Sequence, residues 1–306
     1  MNAPFPYFGG KSPVAADVWA ALGDVDNYVE PFAGSLAVLL NRPHQPKTET
    51  VNDVDGLLAN FWRAVAKEPD EVARHADWPV NEADLEARHL WLARRKGEVR
   101  DRLGDPDWFD TKAAGWWVWG ACAWIGSGWC SGTGPWTHDG QKWANDGDAG
   151  QGINRQLPHL GNAGRGIREF MAVLADRLRR TRVACGDWSR VCGPSVTWRH
   201  GLTGVFLDPP YSSEGRAVVY SHDCGSVARD VTAWALDNGQ RRDMRIVVAG
   251  YDDEHGPLTD AGWRVTAWKA HGGFGSQGNG RGRENAHRER LWFSPHCISP
   301  MQERLL

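Results

Sequence analysis

The stretch Asn27-Tyr28-Val29-Glu30-Pro31-Phe32-Ala33-Gly34-Ser35-Leu36-Ala37-Val38-Leu39-Leu40 decides the fold. A short β-favouring run ends at a proline, a glycine-bearing turn follows, and a helical run opens at Ser35. Beyond it, Glu49-Thr50-Val51-Asn52-Asp53 reads as a second strand. Leu57, Leu58, Phe61, Trp62 and Val65 then recur as one face of an amphipathic helix. Ahead of it, Lys11 to Leu22 places Val14, Val18 and Leu22 on one helical face. Strand, turn, helix, strand, helix is the pattern of a doubly wound α/β sheet.

Working outward, the pattern breaks from about Arg63 to Arg165. Helical spacing runs from Glu82 to Leu103 and from Trp116 to Trp124, no buried strand is legible, and a long Gly/Trp/Asn/Asp stretch spans Ile125 to Gly166. Ordered loops of that length are uncommon and usually functional or disordered. The α/β pattern then resumes. Ile167, Phe170, Met171, Leu174 and Leu178 mark a helix, and strands are expected at Arg182, Gly204 and Met244. A helix near Val227, Val231 and Trp234 lies between the last two strands. The segments from Trp263 and Arg288 are expected to pair as a hairpin across a Gly-rich loop. This reading makes 1–62 and 166–306 one core and 63–165 an inserted, mostly helical subdomain.

Composition narrows the function classes. The chain has 306 residues and a net charge of −3, so any polyanion partner must be argued from local patches rather than bulk charge. No apolar run reaches the roughly 18 residues of a membrane span. The opening Met1-Asn2-Ala3-Pro4 lacks the basic start of a secretion signal. A cytoplasmic protein with no membrane association is expected. The six cysteines form no closely spaced pair, which predicts reduced, mostly buried thiols and no metal site. Eighteen tryptophans stand out. Those between Trp116 and Trp143 suit the core of the insertion better than a base-stacking platform.

The chemistry concentrates in Asp208-Pro209-Pro210-Tyr211, directly after the apolar run Val205-Phe206-Leu207. Open α/β sheets place ligands at the carboxyl ends of strands. There the Asp is an acceptor, the prolines form a stiff turn without N–H donors, and the tyrosine offers a flat ring. This set suits an exocyclic aromatic amine, a poor nucleophile because its lone pair is delocalised. Two acceptors, the carboxylate and a proline carbonyl, bind its N–H groups and favour a pyramidal nitrogen while the ring stacks the base. The same four residues also suit a proline-stiffened turn capped by an acid. Gly34, in a strand-to-helix turn, lets a cofactor approach the backbone. Asp53, about twenty positions later, is placed for ribose hydroxyls and equally for a helix N-cap. Tyr7-Phe8-Gly9-Gly10-Lys11 supplies an aromatic and a cation ahead of a helix. Gly186-Asp187-Trp188 offers an acceptor and a ring at the end of the third strand.

In this order, these runs resemble the AdoMet-dependent DNA adenine-N6 methyltransferases of the Dam-like group. Arg288-Glu289-Arg290-Leu291-Trp292-Phe293 is similar to the last strand of phage-encoded members. The resemblance implies a Rossmann-like mixed sheet with helices on both faces, and makes residues 63–165 the target-recognition subdomain. It implies S-adenosyl-L-methionine as methyl donor and N6 of an adenine flipped from double-stranded DNA as acceptor. Metal and an obligatory protein partner are not expected. By position it assigns Tyr7, Lys11, Glu30, Phe32, Ala33, Gly34, Asp53, Asp187, Trp188 and Asp208 to the cofactor, and Asp208, Pro209, Pro210 and Tyr211 to catalysis. Leu36 departs from the pattern, standing where many relatives have a second glycine.

For DNA contact the candidates are Arg88, Arg95 and Arg102, seven apart along one helix, and Arg281 and Arg283 in the late Gly-rich loop. A solvated helix flank and a plain loop are the alternatives. Within the class, a cytosine-N4 methyltransferase needs the same amine chemistry but more often carries Ser where Asp208 stands. Outside it, a catalytically inactive DNA-binding descendant would show decay in the catalytic run or the cofactor turn, and both are intact.

Overall fold

The computed structural model describes residues 1–7, 10–125, 128–132, 136–138, 143–145, 152–154, 157, 166–210, 224–268 and 287–299. The chain opens with α1 (Ala15–Leu22), β1 (Asn27–Glu30), α2 (Ala37–Leu40) and β2 (Thr48–Asp53). Helices α3 (Gly56–Lys67), α4 (Pro69–Ala76), α5 (Glu82–Arg102) and α6 (Thr111–Ala123) follow. Short strands β3 (Trp124–Ile125), β4 (Trp136–His138), β5 (Trp143–Asn145) and β6 (Gly152–Ile153) precede α7 (Ile167–Leu178). Then come β7 (Thr181–Cys185), β8 (Thr203–Leu207), α8 (Cys224–Gly239) and β9 (Met244–Tyr251). The chain continues through α9 (Gly256–Asp260), β10 (Arg264–Ala267) and β11 (Glu289–Phe293).

Two compact units result. The first draws its described residues from Met1–Gly10 and Val54–Arg179, the second from Lys11–Asp53, Arg180–His271 and Arg283–Leu306. The second holds a seven-stranded sheet in the order β10-β11-β9-β8-β1-β2-β7. β7, β2, β1, β8 and β9 run parallel, and β11 is reversed between β9 and β10. The expected hairpin is present, with Arg264 opposite Phe293 and Ala267 opposite Arg290. The chain builds outward from β1 on one side, then returns to its other side with β8. That reversal is the switch point at which open α/β sheets bind ligands.

Alternation along the strands explains how both faces are covered. Tyr28 faces one way, its ring 4.7 Å from that of Trp19 on α1. Val29, Val205, Leu207, Ile246 and Val248 face the other way and form a core with Val231 and Ala235 of α8. This is a Rossmann-like methyltransferase sheet with helices on both sides, as expected.

The first unit is helical around a tryptophan-rich core. Trp117, Trp119 and Trp124 are buried, and Phe5 packs between Phe61 and Trp117 at 5.6 and 4.9 Å. Helices α4 and α6 approach closely at Gly115, where an added Cβ would fall 2.3 Å from the Cβ of His75. Two findings depart from the sequence expectation. The insertion contains strands, but only of two or three residues, paired as β3 with β6 and β4 with β5, too short to leave a periodic signal. The unit is also wider than 63–165. It takes in all of α3, whose Phe61 and Trp62 pack on the Phe5–Trp117 cluster, and α7, which packs against α3 and α4.

Candidate active site

Three carboxyl groups stand at the carboxyl ends of three adjacent parallel strands: Glu30 on β1, Asp53 on β2 and Asp208 just after β8. Their placement follows from the strands themselves, whose apolar residues bury the middle of each run and leave its last polar residue at the rim. Lys11, at the start of the 3-10 turn leading into α1, reaches this rim. Its Nζ lies 2.9 Å from Asp208 Oδ1 and 5.7 Å from the centroid of the Trp268 ring. The ammonium is 4% exposed and the carboxylate 21%, so the pair is shielded without being sealed. Pro209 is buried and Pro210 partly buried beside it.

Glu30 is 2% exposed, and the Tyr28 hydroxyl donates to its Oε2 at 3.0 Å. Burial, reinforced by the negative charge of Asp208, pushes its pKa up to about 8 against the opposing pull of the Tyr28 and Leu39 hydrogen bonds. A neutral carboxylic acid therefore predominates there at neutral pH.

The turn after β1 is held by β2. Ala33 N–H donates to the Asn52 carbonyl at 2.9 Å, and Gly34 N–H donates to Asp53 Oδ2 at 3.1 Å. Gly34 has φ +46° and Leu36 has φ +57°, ψ +28°. Leu36 is thus a non-glycine residue in the left-handed region, which costs an L-residue roughly 1–2 kcal/mol. Its fully buried side chain supplies the compensating packing.

Beyond β7, Asp187 is exposed, and its Oδ1 accepts from Ser189 N–H at 2.9 Å, capping the 3-10 turn Trp188–Val191. Trp188 is largely buried, stacked on Phe32 at 5.9 Å and 27° and edge-on to Trp234. The structure thus ties together two runs that were read separately, since Phe32 of the glycine turn and Trp188 share one aromatic stack. Tyr7 belongs to the first unit, where its carbonyl accepts from Gly10 N–H at 3.0 Å. Phe8, Gly9, Tyr211, Arg281 and Arg283 lie outside the described residues.

Two residues near these groups escaped the sequence reading. Trp268 was read only as part of a strand, and Asn52 only as the neighbour of Asp53. A polar amide one residue before a rim carboxylate, at the buried end of β2, was the signal for Asn52.

The α5 arginines need a correction. Arg88 is 6% exposed, with its guanidinium 4.1 Å from the Trp119 ring centroid, 5.1 Å from Trp116 and 5.6 Å from Trp78. It is packed among indoles and does not form the outward row expected with Arg95 and Arg102. The reason is that α5 buries the stripe Leu85, Leu92 and Val99, and Arg88 falls at its margin. Arg95 stacks on Trp91 at 4.4 Å and pairs with Glu98 and Asp110, and Arg102 stacks on Trp108 at 4.9 Å while remaining half exposed. An open groove of about 450 Å³ on α5 is lined by Ala87, Leu90, Trp91, Arg94 and Arg95.

Among the described residues no group of three or more His, Cys, Asp or Glu is arranged to hold a metal ion, and no helix is long and apolar enough to cross a membrane. Cys122, Cys130, Cys185, Cys192 and Cys297 are free thiols.

Three carboxyl groups, of which Glu30 is buried and neutral, meet the buried glycine turn and the Phe32–Trp188 stack at one end of the sheet, a set of acceptors and rings suited to hydroxyl or amine donors and a flat base. Comparison with known proteins agrees. No curated protein matches the chain. Residues 7–91, which span β1, the glycine turn, β2 and the helices into the first half of α5, match the family model of the D12 class N6 adenine-specific DNA methyltransferases. The match favours neither the cytosine-N4 alternative nor the inactive descendant. That match supports an AdoMet-dependent DNA methyltransferase acting on N6 of adenine.

Proposed function

We propose that the rim formed by Lys11, Glu30, Asp53 and Asp208 is the methyl-transfer site. The observation that carries this reading is the Lys11–Asp208 pair at the end of β8, beside the switch point of the sheet. Asp53 and the turn Phe32–Gly34 would hold the ribose side of AdoMet, with Asp187 and Trp188 toward the adenine. Lys11, Tyr7 and Glu30 complete the cofactor contacts. Bound AdoMet supplies an activated methyl group on its sulfonium. The chain's own part is positioning. Asp208 and a carbonyl of Pro209 or Pro210 accept the N–H groups of the target amine and favour a pyramidal nitrogen, while Tyr211 stacks the base. Lys11 orients Asp208 from behind.

The helical segment 63–165 acts as the target-recognition region on double-stranded DNA. Arg95 and Arg102, joined by exposed Arg94 and by Lys112 over the Trp116 ring at 4.4 Å, present cations along one region of α5 and α6. Arg281 and Arg283 remain candidates from sequence. Such cations neutralise phosphates. A DNA substrate sets the protein in the cytoplasm of a bacterial or phage-infected cell.

Incubation of the purified protein with AdoMet and unmethylated plasmid, followed by digestion to nucleosides and mass spectrometry, tests the reading. N6-methyladenine is expected, and Asp208→Ala should abolish it with the fold retained. N4-methylcytosine would overturn the base assignment, and undiminished turnover by Asp208→Ala would overturn the site.

A further inference from the structure

Asn52 is 1% exposed at the end of β2, between β1 and β7. Its side-chain Nδ2 donates to the Pro31 carbonyl at 3.1 Å and to the Gly186 carbonyl at 2.9 Å. One carbonyl belongs to the turn after β1, the other to the loop after β7. The backbone at the same point repeats the connection, since Ala33 N–H donates to the Asn52 carbonyl and Gly186 N–H to the Asp53 carbonyl at 3.0 Å. An amide NH₂ has two hydrogens and can serve both loops at once, which no carboxylate or hydroxyl can do. The amide's own oxygen is buried with no partner among the described residues, an unfavourable arrangement. The residue at this position therefore costs stability for its acceptor while its two donors bridge the loops.

We propose that Asn52 is a positioning residue for AdoMet, its side-chain amide clamping the cofactor turn to the Gly186-Asp187-Trp188 loop. The proposal rests on the methyl-transfer site described above. The clamp sets the spacing between Asp53, which grips the ribose, and the loop that receives the adenine. It acts through those two loops and touches no reacting atom.

Calorimetric titration of wild-type, Asn52→Ala and Asn52→Asp protein with AdoMet, alongside steady-state methylation of plasmid DNA, tests it. Loss of two hydrogen bonds should raise the AdoMet dissociation constant about tenfold in Asn52→Ala. The rise should be larger in Asn52→Asp, where a carboxylate faces two carbonyls. KM for AdoMet should rise in step, while kcat at saturating AdoMet stays within about twofold. A merely structural role would instead lower kcat and the melting temperature with the AdoMet affinity unchanged, and that result overturns the clamp. Asn52→Ala adds no charge and carries the test if Asn52→Asp does not fold. Wild-type affinity in Asn52→Ala overturns the clamp and leaves the transferase site standing. A wild-type protein that binds no AdoMet overturns both.

Discussion

At the scale of single residues, Glu30 and Leu36 each accept a local penalty beside the glycine turn after β1. The Glu30 carboxyl titrates near 8 in the folded chain and at its ordinary value of 4.5 when unfolded. Between those values the folded protein holds a proton that the unfolded chain has released, so the Glu30 contribution to stability falls as pH rises from about 4.5 through 8. Glu30→Gln, which keeps a polar group for the Tyr28 hydroxyl, should flatten that decline. Urea midpoints of both proteins at pH 5 and pH 8 check it, and parallel slopes would refute the titration. Leu36→Gly should relieve the left-handed backbone but remove a fully buried side chain. Cavity formation outweighs the roughly 1–2 kcal/mol of backbone relief, leaving a net loss of about 1–3 kcal/mol, read as a lower unfolding midpoint. A more stable variant would mean that the turn, not the packing, governs this position.

At the scale of elements, α5 shows how one helix divides its arginines between packing and surface. Arg88 lies among three indoles, whereas Arg102 keeps half its side chain in solvent. Arg88→Ala should therefore cost about 2–3 kcal/mol of stability through lost cation–π contact and a cavity. It should leave the salt dependence of DNA binding as it was. Neutralising Arg94, Arg95 and Arg102 together should reduce that salt slope with little loss of stability. Thermal melts and DNA-binding titrations across salt separate the two cases. The seven-residue spacing was legible and suggested one row. It did not reveal the indoles around Arg88, because they come from the loop before α5 and from α6, distant in sequence.

At the scale of the whole molecule, each compact unit buries, among the described residues, one histidine that the proposed chemistry does not use. His89 stacks on Trp124 at 4.7 Å and accepts from Cys130 N–H, while His255 lies 2.7 Å from the Thr232 hydroxyl. Burial holds both pKa values down to about 4, against an ordinary value of 6.5. Between 6.5 and 4 the unfolded histidines bind protons that the folded ones do not, so their joint contribution falls as pH drops through that window and outweighs the single opposing Glu30 proton. Denaturant midpoints should decline from pH 6.5 to pH 4, and His255→Phe should lessen the decline. An unchanged slope would show that His255 does not contribute.

The order of strands and helices in the core was legible because apolar residues recur with the period of each element and turn residues bound them. Asp208, Asp53 and Gly34 were legible because a rim carboxylate or a turn glycine interrupts an apolar strand-to-helix passage at a characteristic place. Apart from the β10–β11 hairpin, pairing across the chain was not legible. The Lys11–Asp208 ion pair, the Phe32–Trp188 stack and the two-loop hydrogen bonding of Asn52 join residues from about twenty to nearly two hundred positions apart, whose proximity arises only when β8 and β7 settle on opposite sides of the β1–β2 pair. Nor did local pattern assign α3 and α7 to the helical unit, since an amphipathic face says that it must be buried and not against what. Periodicity and rim residues determined the class of fold and the identity of its chemical groups. Tertiary packing alone decided which of those groups meet, because contact between distant segments depends on the whole sheet's order.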